Sequence, residues 1–232
     1  TDMSNMFNSC GETKMQTLNL GTNFNTSEVT NMSGMFQGFA QNSSTMTTLD
    51  LGTTGITFST SKVTDMSNMF NGCGQTAITT FSLGNNFNTT SVTNMSGMFQ
   101  DFAYNLQTLS LGANFNTSAV TDMSDMFNGA GKTAMTTLTL GDNFNTSSVQ
   151  NMSGMFQDFA GNSSTMITLD LGEKFYTTSA TNMTNMFNGC GLVGMTSLDL
   201  GPAFTNIPNV NTDFVTNCGK SGAVIYAPES IY

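Results

Sequence analysis

Three apolar columns recur along the chain, separated by polar residues. The run Met-x-x-Met-Phe starts at Met3, Met32, Met66, Met95, Met123, Met152 and Met183, at spacings of 28 to 34 residues. Each run is followed by Leu-x-Leu-Gly, ending at Gly21, Gly52, Gly84, Gly112, Gly141, Gly172 and Gly201, with Phe81 the one substitute for its first Leu. A lone aromatic then stands at Phe24, Phe58, Phe87, Phe115, Phe144, Phe175 and Phe204. A unit of about 30 residues cannot cover its own apolar side, so the next unit must cover it, which is the logic of a solenoid.

The stretch 47–74 shows what each unit predicts. Leu49 and Leu51 alternate with Thr48 and Asp50, the pattern of a short strand with Leu inward. Gly52 marks a turn. Phe58 and Val63 anchor an extended arm. Met66, Met69 and Phe70 stand at i, i+3 and i+4, which predicts one or two turns of helix, capped by Asp65 or Ser67 and ended by Gly72 and Gly74. Stacked in register, the strands would build a parallel sheet with about 4.8 Å between rungs. The expected architecture is therefore a repeat solenoid of about seven rungs, with a parallel β-sheet on one face and short helices on the opposite side.

The units come in two kinds that alternate A-B-A-B-A-B-A. Type A reads Thr-Asp-Met-Ser-Asn-Met-Phe-Asn-Gly-Cys-Gly at 64–74; type B reads Asn-Met-Ser-Gly-Met-Phe-Gln-x-Phe-Ala from 31, 94 and 151. The extra Phe39, Phe102 and Phe159 of type B stand near where type A carries Cys10, Cys73, Ala130 and Cys190. Large against small predicts that neighbouring rungs interdigitate there. Residues 1–204 hold the seven units. Residues 205–232 break the pattern: 209–219 reads as a decayed type A rung and 223–227 as a closing strand, together a C-terminal cap. The chain opens in mid-rung, which predicts a preceding segment.

The run Leu49-Asp50-Leu51, Phe58 and Thr60-Ser61-Lys62-Val63-Thr64-Asp65-Met66-Ser67-Asn68-Met69-Phe70 resembles the BspA-like leucine-rich repeats of bacterial surface proteins and mycoplasma lipoproteins. The closing Val224-Ile225-Tyr226-Ala227-Pro228 is similar to the ends of those arrays. The resemblance covers nearly the whole chain. It implies a leucine-rich-repeat-like solenoid at a cell surface, extracellular and bacterial, used for adhesion or protein binding. The units here are a few residues longer than the family's usual ones, and Leu51 is followed by Gly where Ser is usual.

Composition narrows the chemistry. The 232 residues carry 15 acidic and 5 basic side chains, with no His and a net charge of −10. All five cations are Lys. A basic face for phosphates is lacking, so nucleic acid is not an expected partner. No run of 18 apolar residues occurs, so no membrane insertion is expected within this chain. No nucleophile with a partner base and no acid/base pair is readable, so the chain is expected not to be an enzyme and to need no cofactor.

The exposed side of the predicted sheet is the candidate binding surface: Thr48, Asp50, Thr80, Ser82, Thr108, Ser110, Thr137, Thr139, Thr168 and Asp170. Competing sites read more simply as structure. The Met pairs could offer soft sulfur to Cu(I), but they coincide with the core columns, and no metal site is expected. Asp2, Asp65 and Asp122 read as caps ahead of Ca²⁺ ligands. The equivalent Thr26, Thr60, Thr89, Thr117, Thr146 and Thr177 could form a flat hydroxyl array able to order water. Cys190 and Cys218 fall at equivalent positions of adjacent rungs, where a disulfide could staple the cap. Asn-x-Ser/Thr sequons, such as Asn25 and Asn88, read as by-products of the repeat. The expected function is a surface module for adhesion, binding a host or neighbouring-cell protein or glycan. The alternative is a stalk or subunit that self-associates end to end.

Overall fold

The computed structural model describes residues 1–21, 23–52, 58–208 and 213–231. Seven short strands follow one another along the chain: β1 (Thr48–Asp50), β2 (Thr80–Ser82), β3 (Thr108–Ser110), β4 (Thr137–Thr139), β5 (Thr168–Asp170), β6 (Ser197–Asp199) and β7 (Val224–Tyr226). Every pairing is parallel and in register, Leu49 beside Phe81, Leu109 beside Leu138, and Leu169 beside Leu198 and then Ile225. A second parallel ladder runs along the other side. Six bridges join Asp2, Asn31, Asp65, Asn94, Asp122, Asn151 and Asn182 in order. The chain is a parallel β-solenoid of repeating rungs. The first Leu-x-Leu, at Leu18 and Leu20, forms no strand.

The predicted helices do not form. Among the described residues the one helical segment is a 3₁₀ turn, Glu229–Ile231. Each Met-x-x-Met-Phe run is instead a ribbon of overlapping turns. In the second type A rung, Met69 N–H donates to Met66 O (3.2 Å), Asn71 N–H to Asn68 O (3.1 Å) and Cys73 N–H to Phe70 O (3.0 Å). The intervening N–H groups leave the rung: Asn68 donates to Ser96 O (2.8 Å), Phe70 to Met98 O (2.9 Å) and Gly72 to Gln100 O (2.8 Å). Asn68 (φ 56°) and Gly72 (φ 67°) are left-handed, which a right-handed helix cannot propagate. The apolar spacing is nevertheless satisfied, because Met66, Met69, Phe70 and Cys73 all point inward and are fully buried. Asp65 caps the ribbon, as an Asx turn: its Oδ1 accepts from Ser67 N–H at 2.9 Å.

The same left-handed positions explain why two kinds of unit alternate. One column runs Asn5, Gly34, Asn68, Gly97, Asp125, Gly154, Asn185, all at positive φ. A Cβ added at Gly34, Gly97 or Gly154 would strike the side-chain oxygen of Asn5, Asn68 or Asp125 in the preceding rung. The second column alternates in the opposite phase over Gly72, Asp101, Gly129, Asp158 and Gly189, and a Cβ on Gly129 or Gly189 would strike Asp101 or Asp158. The side chains of Asn5, Asn68, Asp101, Asp125 and Asp158 therefore each lie over a glycine of the next rung. Two successive type A rungs would set side chain against side chain in the first column.

Inside, two columns of rings run the length of the array. Phe7, Phe36, Phe70, Phe99, Phe127, Phe156 and Phe187 stack with centroids 5.3–5.8 Å apart and interplanar angles of 1–15°. Phe24 through Phe204 form the second stack at 6.1–6.5 Å. Centroids further apart than the rungs mean offset stacking, the favoured parallel geometry. The extra type B rings turn edge-on, Phe36 to Phe39 at 79° and Phe156 to Phe159 at 77°.

The threonine column read as a hydroxyl array for water is inside the protein. Thr26, Thr60, Thr89, Thr117, Thr146 and Thr177 are buried. Each hydroxyl works between rungs. Thr60 Oγ1 donates to Asn88 O and accepts from Asn88 N–H, both at 2.7 Å, and Thr117 does the same with Asn145 at 2.8 and 2.7 Å. Burial without these bonds would leave an extended backbone segment unsatisfied.

Two stability predictions follow from this geometry. Gly97→Ala should lower the urea midpoint well beyond Gly112→Ala, since both glycines have positive φ but only Gly97 lies against a neighbouring side chain. Gly112→Ala should cost about 1–2 kcal/mol, the left-handed penalty alone. In an Asn68→Gly background the excess cost of Gly97→Ala should largely vanish; a cost that stays the same would refute the interlock. Thr117→Val should destabilise by about 1–3 kcal/mol by removing the buried hydroxyl that pairs with the Asn145 N–H and C=O, while Thr117→Ser should remain close to wild type.

Candidate functional site

The outward positions of the strands are where alternation placed them. Thr48, Asp50, Thr80, Thr108, Ser110, Thr137, Thr139, Thr168 and Asp170 are exposed, and Ser82 is half-buried. Parallel register brings them together in rows: Thr48 beside Thr80, Asp50 beside Ser82, Thr108 beside Thr137, Ser110 beside Thr139. Thr168 Oγ1 and Ser197 Oγ share a hydrogen bond at 2.8 Å. Asp170 and Asp199 are register neighbours, so two carboxylates stand side by side. Each is oriented by its own backbone: Asp170 Oδ1 accepts from Gly172 N–H (2.8 Å) and Asp199 Oδ1 from Gly201 N–H (2.9 Å).

The face is not one continuous sheet. Strands pair as β1–β2, β3–β4 and β5–β6–β7. Both breaks come after a type A strand and before a type B strand. At the first break the type B ring of Phe102 sits 4.8 Å from that of Phe81 in β2, edge-on at 68°. At the second break, Leu138 and Leu140 of the β4 rung are 9% and 7% exposed, where the Leu of most other rungs are sealed.

An open cleft of about 690 Å³ occupies that second break. Its walls are Leu138 to Asp142 with Phe144 on one rung and Asp170 to Lys174 on the next. Lys174 reaches across it, Nζ donating to Asp142 O at 2.7 Å. A lining that mixes Leu side chains with polar and charged groups can hold a small polar ligand or an inserted side chain. Sequence reasoning passed over Asp142, Glu173, Lys174 and the exposed Val224 and Tyr226 at the end of the sheet. The signal was present for the cleft: the corner Gly172-Glu173-Lys174-Phe175 carries two charges where other corners read Asn-Asn, Ala-Asn or Asp-Asn.

A second cluster ties two rungs together on another side. Tyr104 Oη donates to Asp101 Oδ1 at 3.1 Å, and Lys132 Nζ lies 5.8 Å from the Tyr104 ring centroid. Burial, with the Asp101 carboxylate beside it, pushes the Tyr104 hydroxyl up to about 12.

Cys190 and Cys218 are free thiols in adjacent rungs, with their side chains in hydrogen-bond contact. Cys10 is exposed and Cys73 buried, both also free. Among the described residues no group of three or more acidic or thiol side chains converges as a metal site would need. No helix among them is long and apolar enough to cross a membrane.

A family model described as Mycoplasma protein of unknown function, DUF285, matches residues 1–130, 52–163 and 103–194 in three overlapping segments. No curated protein and no solved structure matches the chain.

The Tyr104 cluster predicts an alkaline effect. Its raised value means that the folded state prefers the neutral phenol. The stabilisation is therefore present below the ordinary tyrosine range and is lost as pH rises from about 10 through about 12. Phenolate absorbance of the native chain should show a late step that Tyr104→Phe removes.

Proposed function

Because the chain belongs to the DUF285 family of mycoplasma proteins, we propose that it is a binding module displayed outside the cell, where its sheet face and the cleft between β4 and β5 engage a protein or glycan on another surface. The observation that supports this reading best is the sheet face itself. It presents Thr, Ser and Asp side chains in fixed rows, and an acidic-rimmed cleft interrupts it. Hydroxyls and carboxylates at fixed spacing suit the hydroxyl groups of glycans and the amides of peptides. An acidic face on a chain of net charge −10 also favours neutral or basic partners over anionic ones. Kinship with BspA-like leucine-rich repeats belongs to the same proposal, supported by the Leu-x-Leu strands and the Met-Ser-x-Met-Phe runs, now without helices.

A second reading is end-to-end stacking of copies into a stalk, supported by the repeat itself: each rung already covers its neighbour through the same in-register ring stack.

One pair of experiments separates the two readings. The purified chain is screened on a glycan array and against a panel of purified extracellular proteins, beside a Thr108→Lys, Thr137→Lys, Thr168→Lys variant. The binding reading expects saturable capture that the variant weakens at least about tenfold, as loss of central contacts does. Capture that is absent, or unchanged in the variant, refutes it. Light scattering over a concentration range tests stacking: particles that lengthen with concentration support it, and a strict monomer removes it.

A further inference from the structure

One column of the array is broken at a single step. Cys10, Phe39, Cys73, Phe102, Ala130, Phe159 and Cys190 alternate small and large from rung to rung. After Cys190 the next rung presents Cys218 instead of a ring. Backbone bonds fix the register there: Gly189 N–H donates to Thr216 O (2.9 Å), and Gly219 N–H to Cys190 O (2.7 Å). Neighbouring parallel rungs put equivalent Cα atoms about 4.8 Å apart, inside the window that a disulfide needs. Cys190 is fully buried and Cys218 only partly so.

We propose that Cys190 and Cys218 form a reversible disulfide that staples the C-terminal rung to the array, made by exchange with a small-molecule disulfide of the glutathione type. The chemistry balances. The Cys218 thiolate attacks one sulfur of the oxidant and expels a thiolate, leaving a mixed disulfide on Cys218. Cys190 gives up its proton and attacks the Cys218 sulfur, expelling the second thiolate. The oxidant's disulfide is reduced to two thiols, which take up the two protein protons, and one protein disulfide is formed. The order of attack follows from placement: Cys218 is the accessible thiol, and its hydrogen bond from Cys190 favours the thiolate. Cys190, buried and donating that bond, is held well above the ordinary thiol range until the mixed disulfide lies beside it.

The staple lies where the array departs from its own pattern. Asn185 Oδ1, which in the other type A rungs accepts a hydrogen bond from the Asn three residues on, is here buried without a partner among the described residues. Val215 takes the place of a stacked ring and is 37% exposed. Where a rung opens locally, closing a loop across it suppresses that opening.

The test uses the full chain carrying Cys10→Ser, which removes the exposed thiol. The protein is equilibrated in glutathione buffers from fully reduced to fully oxidised, alkylated and examined by mass spectrometry. The expected result is loss of two hydrogens, with one linked peptide pair holding Cys190 and Cys218, reversed by dithiothreitol, while Cys73 stays free. Limited proteolysis within 205–223 should slow by roughly tenfold or more on oxidation, the low end of what a closed loop of this length does. Cys218→Ser and Cys190→Ala should cleave at one rate in both buffers; Ala130 shows that alanine fits this column. Thiols that stay free in fully oxidised glutathione, a stable glutathione adduct on Cys218, or protection that persists in either variant would overturn the proposal.

Discussion

The array depends on how each turn ribbon divides its backbone N–H groups. Alternate groups close turns within the rung, and the others cross to carbonyls of the next rung. A helix would spend nearly all of them internally and leave nothing for the neighbour. A strand would send all of them outward and could not turn the chain so tightly. The mixed arrangement does both, at the cost of a left-handed residue in every second turn. Glycine meets that demand without a Cβ, and Asn or Asp meets it with a side chain able to bond locally. Once both residue types are used, they must alternate from rung to rung, because an Asx side chain fits over a glycine and over little else. The two-unit repeat is thus a packing rule, whatever duplication produced it. The surface ladder obeys a parallel electrostatic rule. Asp2, Asp65 and Asp122 are separated by Asn31 and Asn94, and Asn31 Nδ2 donates to Asp2 Oδ2 at 3.4 Å, so like charges do not meet on adjacent rungs.

Much of this was legible in the chain. Period, rung order, inward columns and the outward faces of the strands follow from spacing alone, and Met69, Phe70, Leu49 and Phe58 are buried as read. What misled was the step from face to conformation. Residues at i, i+3 and i+4 share a face in a helix, and they share one equally in a ribbon of turns. The discriminating signal lay in the polar positions: Gly, Asn or Asp recurring at Asn68 and Gly72 and at their equivalents, among the weakest helix formers and the strongest left-handed ones. The threonines misled differently. Thr60 looks like a surface residue by type, yet a hydroxyl that can donate and accept at once is what a buried ladder of parallel segments requires. The breaks in the sheet were not legible, because they depend on where the Phe102 ring sits relative to Phe81, a matter of three-dimensional fit. The sheet positions of the candidate site and its charged corner at Glu173 and Lys174 were readable; the opening of the cleft, a consequence of those breaks, was not.

A solenoid of this kind changes its surface chemistry only where its repetition fails, because identical rungs present identical surfaces. The interior is close to uniform, with two unbroken ring stacks and a sealed methionine layer. Departures are few. The sheet opens between β4 and β5, where Glu173 and Lys174 put two charges in a corner that elsewhere carries at most one. The Cys–Phe alternation fails once, at Cys218. Each departure is local, so each can be changed without disturbing distant rungs, whose contacts are with nearest neighbours. That separability has a mechanical consequence. Stability in such an array is a sum over interfaces, and the interface with the fewest complementary pairs governs where opening begins. At the last interface Asn185 has no glycine to lie over and Val215 replaces a ring, while Phe214 packs against Phe187 and Phe204 and β7 pairs with β6. A covalent link there would change which interface opens first.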